Sequence, residues 1–252
     1  MENSNINSFF NIDKPLLEKD ALILEKCRKR FSEIDDITEY CQLKVLSAFI
    51  KNGVSEAAMA GSTGYGYDDR GREILERVMA QAMGAEDALM RHNFVSGTHT
   101  LTVALFGILR PGDKILSLTG RPYDTIIGVF GIDGKSDGSL ADFGVEYRQA
   151  ELLPDGTPDI ARIKEMLKAD KYKMAYIQRS RGYSTRPSLT AEDIEKLCKA
   201  VREVSPDSII MVDNCYGEFT EKKEPCEVGA DIVAGSLIKN PGGGIAPTGG
   251  YI

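Results

Sequence analysis

Two residues at the ends of apolar runs carry the most chemistry in this sequence. Asp213 closes the run Ile209-Ile210-Met211-Val212. Lys239 follows Ile232-Val233-Ala234, inside Gly235-Ser236-Leu237-Ile238-Lys239-Asn240-Pro241-Gly242-Gly243-Gly244. A lysine held among small residues at a strand end is not placed as a solvated surface lysine is. A strand-end acid and a strand-end lysine together suit pyridoxal phosphate (PLP), which takes a lysine for its Schiff base and an acid at its pyridinium nitrogen. Such a lysine must lose its proton to attack an aldehyde, so a setting that lowers its pKa is expected. The glycines that follow let a bulky ring approach the backbone. Taken alone, Lys239 reads equally as a loop lysine beside a glycine-rich turn, and Asp213 as a turn or cap residue. The glycines come after the lysine rather than before it, so the segment is not a P-loop.

Other positions gather around this pair. Ser96-Gly97-Thr98 follows a short apolar run and opens a helix, where backbone N–H groups and two hydroxyls can take a phosphate. Plain capping explains the same residues. Ser236 can add a further phosphate hydroxyl. Tyr123, after Gly120-Arg121-Pro122, can stack on a pyridine ring or serve as a core tyrosine. The loop Gly64-Tyr65-Gly66-Tyr67-Asp68-Asp69-Arg70-Gly71 offers Tyr65 or Tyr67 as an acid or base and Arg70 as a phosphate fork, or is a solvated loop. Arg179 and Arg181 read as anion ligands or as surface residues. His99 reads as a first-turn helix residue, and Cys215 as a packed small one.

The elements that must position these residues alternate. Residues 1–60 form a helical segment, with Leu43, Leu46, Phe49 and Ile50 at helical spacing up to Gly53. Residues 61–252 form a second, α/β unit. Strands are expected at 88–90, 114–118, 145–149, 174–178, 208–212 and 231–235. Helices are expected at 74–83, 97–109, 123–130, 159–168 and 190–204. This pattern gives an α/β fold, a three-layer, mostly parallel sheet with helices on both faces. Such sheets bind ligands at the carboxyl ends of their strands, where Ser96, Tyr123, Asp213, Ser236 and Lys239 all fall.

Composition narrows the classes. The chain has 252 residues, 42% apolar and 27% charged, with a net charge of −7, which does not favour a nucleic-acid surface. No apolar run reaches membrane-helix length, and Met1-Glu2-Asn3-Ser4-Asn5 lacks the basic, then apolar, start of a signal peptide. Cys27, Cys41, Cys198, Cys215 and Cys226 form no C-x-x-C pair, which suggests reduced thiols and a cytoplasmic setting. No metal site is expected.

The motifs at 64–71, Ser96-Gly97-Thr98-His99, Arg110-Pro111-Gly112-Asp113, Gly120-Arg121-Pro122-Tyr123-Asp124-Thr125, Gln178-Arg179-Ser180-Arg181-Gly182-Tyr183, Val212-Asp213-Asn214-Cys215-Tyr216-Gly217-Glu218-Phe219 and 235–244 together resemble the methionine gamma-lyase family, also called the aluminium resistance protein family. The resemblance runs from about residue 8 to the end. It implies the PLP-dependent transferase fold type I and a carbon–sulfur lyase acting on a sulfur-containing amino acid. It implies Lys239 as the Schiff-base lysine, Asp213 at the pyridinium nitrogen, Gly97, Thr98 and Ser236 at the phosphate, and Tyr123 on the ring. It further implies that Tyr67, with Tyr65 as competitor, and Arg70 reach a neighbouring subunit's cofactor in a homodimer or homotetramer. The sequence stops soon after Lys239, whereas fold type I enzymes continue. The expectation is therefore an incomplete large domain without its C-terminal small domain, further sheet strands to come, and an unpaired sheet edge after residue 251.

Overall fold

A computed structural model describes residues 9–65, 67, 69–134 and 137–252. Gly66 and Asp68 of the tyrosine loop, and the first eight residues of the helical segment, lie outside them. The first element is a long helix, α1 (Lys14–Lys51), with Pro15 in its first turn. The charges at Asp35 and Asp36 do not interrupt it. Only Cys41 and Ala48 are buried along it. Its second half is tied to the body by Lys44 Nζ on Glu227 (2.6 Å) and by the Cys41 thiol on the Glu221 carbonyl (3.4 Å).

The remaining elements are α2 (Arg70–Met83), β1 (Met90–Arg91), α3 (Gly97–Ile108), β2 (Lys114–Ser117), α4 (Asp124–Phe130), β3 (Glu146–Gln149), α5 (Ile160–Ala169), β4 (Met174–Gln178), α6 (Ala191–Val204), β5 (Ile209–Asp213), β6 (Ile232–Ser236) and β7 (Gly250–Tyr251). Local chemistry sets the helix ends. Asp69, Ser96, Asp159 and Thr190 cap α2, α3, α5 and α6 through their side chains, and Thr190 forms a capping box with Asp193. Gly84 and Gly131 end α2 and α4 in the left-handed conformation that glycine adopts without strain.

The sheet has seven strands in the order β1-β7-β6-β5-β4-β2-β3. The five from β6 to β3 run parallel, and β7 is antiparallel to both its neighbours. β4 is buried at every position, as a central parallel strand covered on both faces must be. One face packs Met79 and Met83 of α2, Ile163 and Leu167 of α5, and Ile194, Leu197 and Val201 of α6 against Leu116, Ile177, Val212 and Val233. The other packs Leu101 and Leu105 of α3 and Ile126 and Phe130 of α4 against Ile115, Met174, Tyr176 and Met211. This is the three-layer α/β fold expected.

The chain's end departs from expectation. Gly250 and Tyr251 do not leave an open edge: they pair with Met90 and Arg91 on one side and with Gly235 and Ser236 on the other. Glycine at 250 lets helix α3 lie against this strand, because a β-carbon there would stand 1.9 Å from Thr100 Oγ1. Among the described residues the edges of the sheet are β1 and β3, and β6 is not an edge strand.

Candidate active site

The carboxyl ends of β2, β4, β5 and β6 are stitched together by loop hydrogen bonds. Thr119 Oγ1 accepts from the Gln178 N–H (3.1 Å), and Gln178 Oε1 accepts from the Tyr123 N–H (2.8 Å). The Arg179 N–H donates to the Asp213 carbonyl, and the Asn214 N–H to the Ala234 carbonyl. These bonds hold a cleft of about 330 Å³ lined by Tyr123, Ser180, Gly182, Tyr183, Asp213, Cys215, Tyr216 and Lys239.

Asp213 sits at its base, 1% exposed. Oδ1 accepts from the Cys215 N–H (3.1 Å) and Oδ2 from the Tyr176 hydroxyl (3.4 Å). Burial raises its pKa, and the Cys215 hydrogen bonds and the Lys239 charge pull the other way. A buried carboxylate of this kind gains most from a cation placed against it.

Lys239 is half-buried in the same cleft, with Nζ 4.2 Å from the centre of the Tyr216 ring. Its pKa is raised, contrary to the sequence-based expectation. Burial pulls it down, but the neighbouring Cys215, Asp213 and Tyr216 together outweigh that pull. Among the described residues no other cation lines the cleft to push the proton off. Cys215 is packed as expected: it is 3% exposed, and burial drives its thiol pKa far up.

The phosphate candidates lie beside this pair. A β-carbon on Gly97 would stand 3.2 Å from Ser236 Cβ and 3.6 Å from Cys215 Sγ, so glycine lets the start of α3 close onto the end of β6. Thr98 Oγ1 shares hydrogen bonds with the Tyr123 hydroxyl (3.3 Å) and with Thr125 Oγ1 (3.0 Å). Ser96 Oγ accepts from the His99 N–H (3.1 Å), the capping role, which leaves its hydroxyl hydrogen to donate. Ser236 is fully buried. The residues fit PLP: an amine, a buried acid, a tyrosine lining the cleft, and a helix start with hydroxyls around it.

The structure brings Ser96, Gly97, Thr98, Tyr123, Asp213, Ser236 and Lys239 together. It does not bring Tyr65, Tyr67 or Arg70 to them. The two tyrosines are more than 80% exposed, Arg70 is exposed at the start of α2, and none lines the cleft. His99 is also exposed. Arg181 is on the surface, but Arg179 is buried, donating to Asn214 Oδ1 (2.8 Å), Glu221 Oε2 (2.6 Å) and the Leu189 carbonyl (3.3 Å). It braces the Asp213 loop through Asn214, and its guanidinium is engaged within the protein.

Two residues of that loop were not singled out from sequence. Tyr216 faces Lys239. Glu218 is buried with Oε1 accepting from the Tyr251 hydroxyl (2.8 Å), and its Oε2 has no partner among the described residues. Their only signal was membership of the strand-end motif that also holds Asp213.

The methionine gamma-lyase family profile matches residues 17–252. The chain is 46% identical to the uncharacterised protein YnbB of Bacillus subtilis over 239 residues, 94% of this chain and 56% of the relative. A Listeria monocytogenes structure described as a candidate cystathionine beta-lyase involved in aluminium resistance is 50% identical. Its TM-score is 0.89, over 92% of this chain and 57% of that one. A Clostridium novyi structure described as a carbon–sulfur lyase involved in aluminium resistance is 46% identical. Its TM-score is 0.92, over 100% of this chain and 60% of that one. The chain thus spans less than two thirds of the length of these relatives. No helix among the described residues is long and apolar enough to cross a membrane.

Proposed function

Because the chain belongs to the methionine gamma-lyase family, we propose that it supplies the cofactor-binding part of a PLP-dependent carbon–sulfur lyase acting on a sulfur-containing amino acid. The observation that carries this reading is that Lys239 and the buried Asp213 reach one cleft from neighbouring parallel strands. Lys239 Nζ would hold the cofactor covalently and Asp213 its pyridine nitrogen. Gly97, Thr98 and Ser236 would hold its phosphate, with Ser96 as a further hydroxyl, and Tyr123 would face its ring. When bound, PLP supplies an electron-withdrawing ring that stabilises negative charge at the substrate α-carbon.

The protein's own part is to hold charges and move a proton. The buried Asp213 carboxylate would favour a proton on the group it faces. The freed amine of Lys239, or a tyrosine, with Tyr123 and Tyr67 the candidates, would take the α-proton. The exposure of Tyr65, Tyr67 and Arg70 on their loop supports a site completed by a second copy of the chain, in a homodimer or homotetramer.

The test is product analysis with PLP and a panel of sulfur amino acids. Elimination releases a keto acid, ammonia and a thiol in equal amounts. Keto acid without ammonia would point to an aminotransferase, and amine with carbon dioxide to a decarboxylase. Bound cofactor with no product from any substrate would leave this span as a cofactor-holding unit.

A further inference from the structure

Tyr216 has a backbone that needs an explanation. Its φ is +68°, in the left-handed region that a bulky side chain rarely adopts. The turn around it is fixed by the Cys215 N–H on Asp213 Oδ1 and the Gly217 N–H on the Asn214 carbonyl (2.8 Å). Glycine is the residue that would fill such a position without strain, and a glycine stands immediately after it. Core packing does not account for a tyrosine here. The side chain is 63% exposed, and among the described residues its hydroxyl makes no hydrogen bond to another side chain. What the ring does touch is Lys239, whose Nζ lies 4.2 Å from its centre, well within cation–π range. Strain retained at a residue that packs against the reactive group is the pattern of a functional position.

We propose that Tyr216 is a positioning residue for Lys239: its ring face holds the lysine ammonium in the cleft, and its left-handed backbone aims the ring there. The charged and titratable groups facing Lys239 are few. Asp213 and Cys215 come from the exit of β5, Tyr123 from the start of α4, and Tyr183 from the loop after β4. None of these is a cation, so the ring works with Asp213 and against no competing charge. The arrangement lets Lys239 be held as an ammonium whenever it is not covalently engaged. The inference rests on Lys239 being the reactive amine of this cleft.

Competitive acetylation of the cofactor-free chain at pH 8, read peptide by peptide by mass spectrometry, tests it without any catalysis. Tyr216→Phe keeps the ring face, and its Lys239 is expected to label within about twofold of the wild-type rate. Tyr216→Leu and Tyr216→Gly remove the ring, and their Lys239 is expected to label roughly three- to tenfold faster, with surface lysines such as Lys199 unchanged. Tyr216→Gly suits the left-handed turn, so its melting temperature should not fall, and a labelling change there cannot be unfolding. Wild-type labelling rates in both ring-less variants would overturn the proposal. So would a Tyr216→Phe rate equal to that of Tyr216→Leu. Because the assay contains no PLP, failure here leaves the cofactor assignment standing, and that assignment fails separately if PLP does not attach to Lys239.

Discussion

Asp213 pairs in register with Ala234 across the parallel β5–β6 ladder, and the strand that carries Ala234 leads directly into the loop bearing Lys239. The acid is therefore positioned by the strand ladder itself, and the amine sits in the turn just beyond the end of β6. Gly97 adds the third fixed point, because its missing side chain lets α3 begin against Ser236. The geometry depends on strand register, which makes the consequences of substitution specific.

Asp213→Asn should separate function from stability. The amide keeps the shape of the side chain and loses its charge. Losing a charge-assisted hydrogen bond to a pyridinium nitrogen should weaken PLP binding by about 10- to 100-fold. Burial raises the Asp213 pKa in the folded chain, so its ionisation opposes folding as pH rises. The cofactor-free variant should therefore melt no lower than the wild type at pH 8. Absorbance titration with PLP and thermal melts on the same samples check both halves. Unchanged PLP affinity would contradict the assignment of Asp213.

Glu218 should govern stability near neutral pH. Burial pushes its carboxyl up to about 7, against an ordinary value of 4.5, and its Oε2 has no partner among the described residues. A raised folded-state pKa gives stability that is complete below the unfolded value and is lost as pH rises through the folded one. The wild type should thus lose stability between about pH 4.5 and 7. Glu218→Gln cannot ionise and keeps an oxygen for the Tyr251 hydroxyl. It should gain on the order of 3 kcal/mol relative to wild type above pH 7 and nothing below pH 4. Asp213 and Glu224 are shifted in the same direction, so the comparison is between variant and wild type at each pH. Denaturant melts across that range read the difference, and parallel curves would show that Glu218 is not the titrating group.

The sequence carried the frame of this site clearly, for physical reasons. Apolar runs such as Ile209–Val212 and Met174–Ile177, bounded by turn residues and alternating with helical stretches, read as buried strands, and the polar residues at their carboxyl ends mark the cleft side of the sheet. The rest was hidden because it depends on contacts between distant segments. A two-residue strand at Gly250–Tyr251 has no periodicity to read, and its place between β1 and β6 comes from pairing with residues far along the chain. Arg179 looks like an anion ligand until Asn214, Glu221 and Leu189 are seen to use its donors. Lys239 looked like a lysine with a lowered pKa, and its anionic and aromatic neighbours, brought in by the turn after β5, reverse that sign. The role of Tyr216 depends on a backbone angle that no residue pattern announces.

The central claim is that Lys239 is the amine that takes PLP, and borohydride trapping tests it most directly. After incubation with PLP, the chain should turn yellow. Reduction should bleach the colour and leave one phosphopyridoxyl group, which peptide mapping should find on Lys239. Lys239→Ala should show neither colour nor adduct, while Lys199→Ala should behave as wild type. Label spread over surface lysines, or a yellow species that survives in Lys239→Ala, would contradict the account.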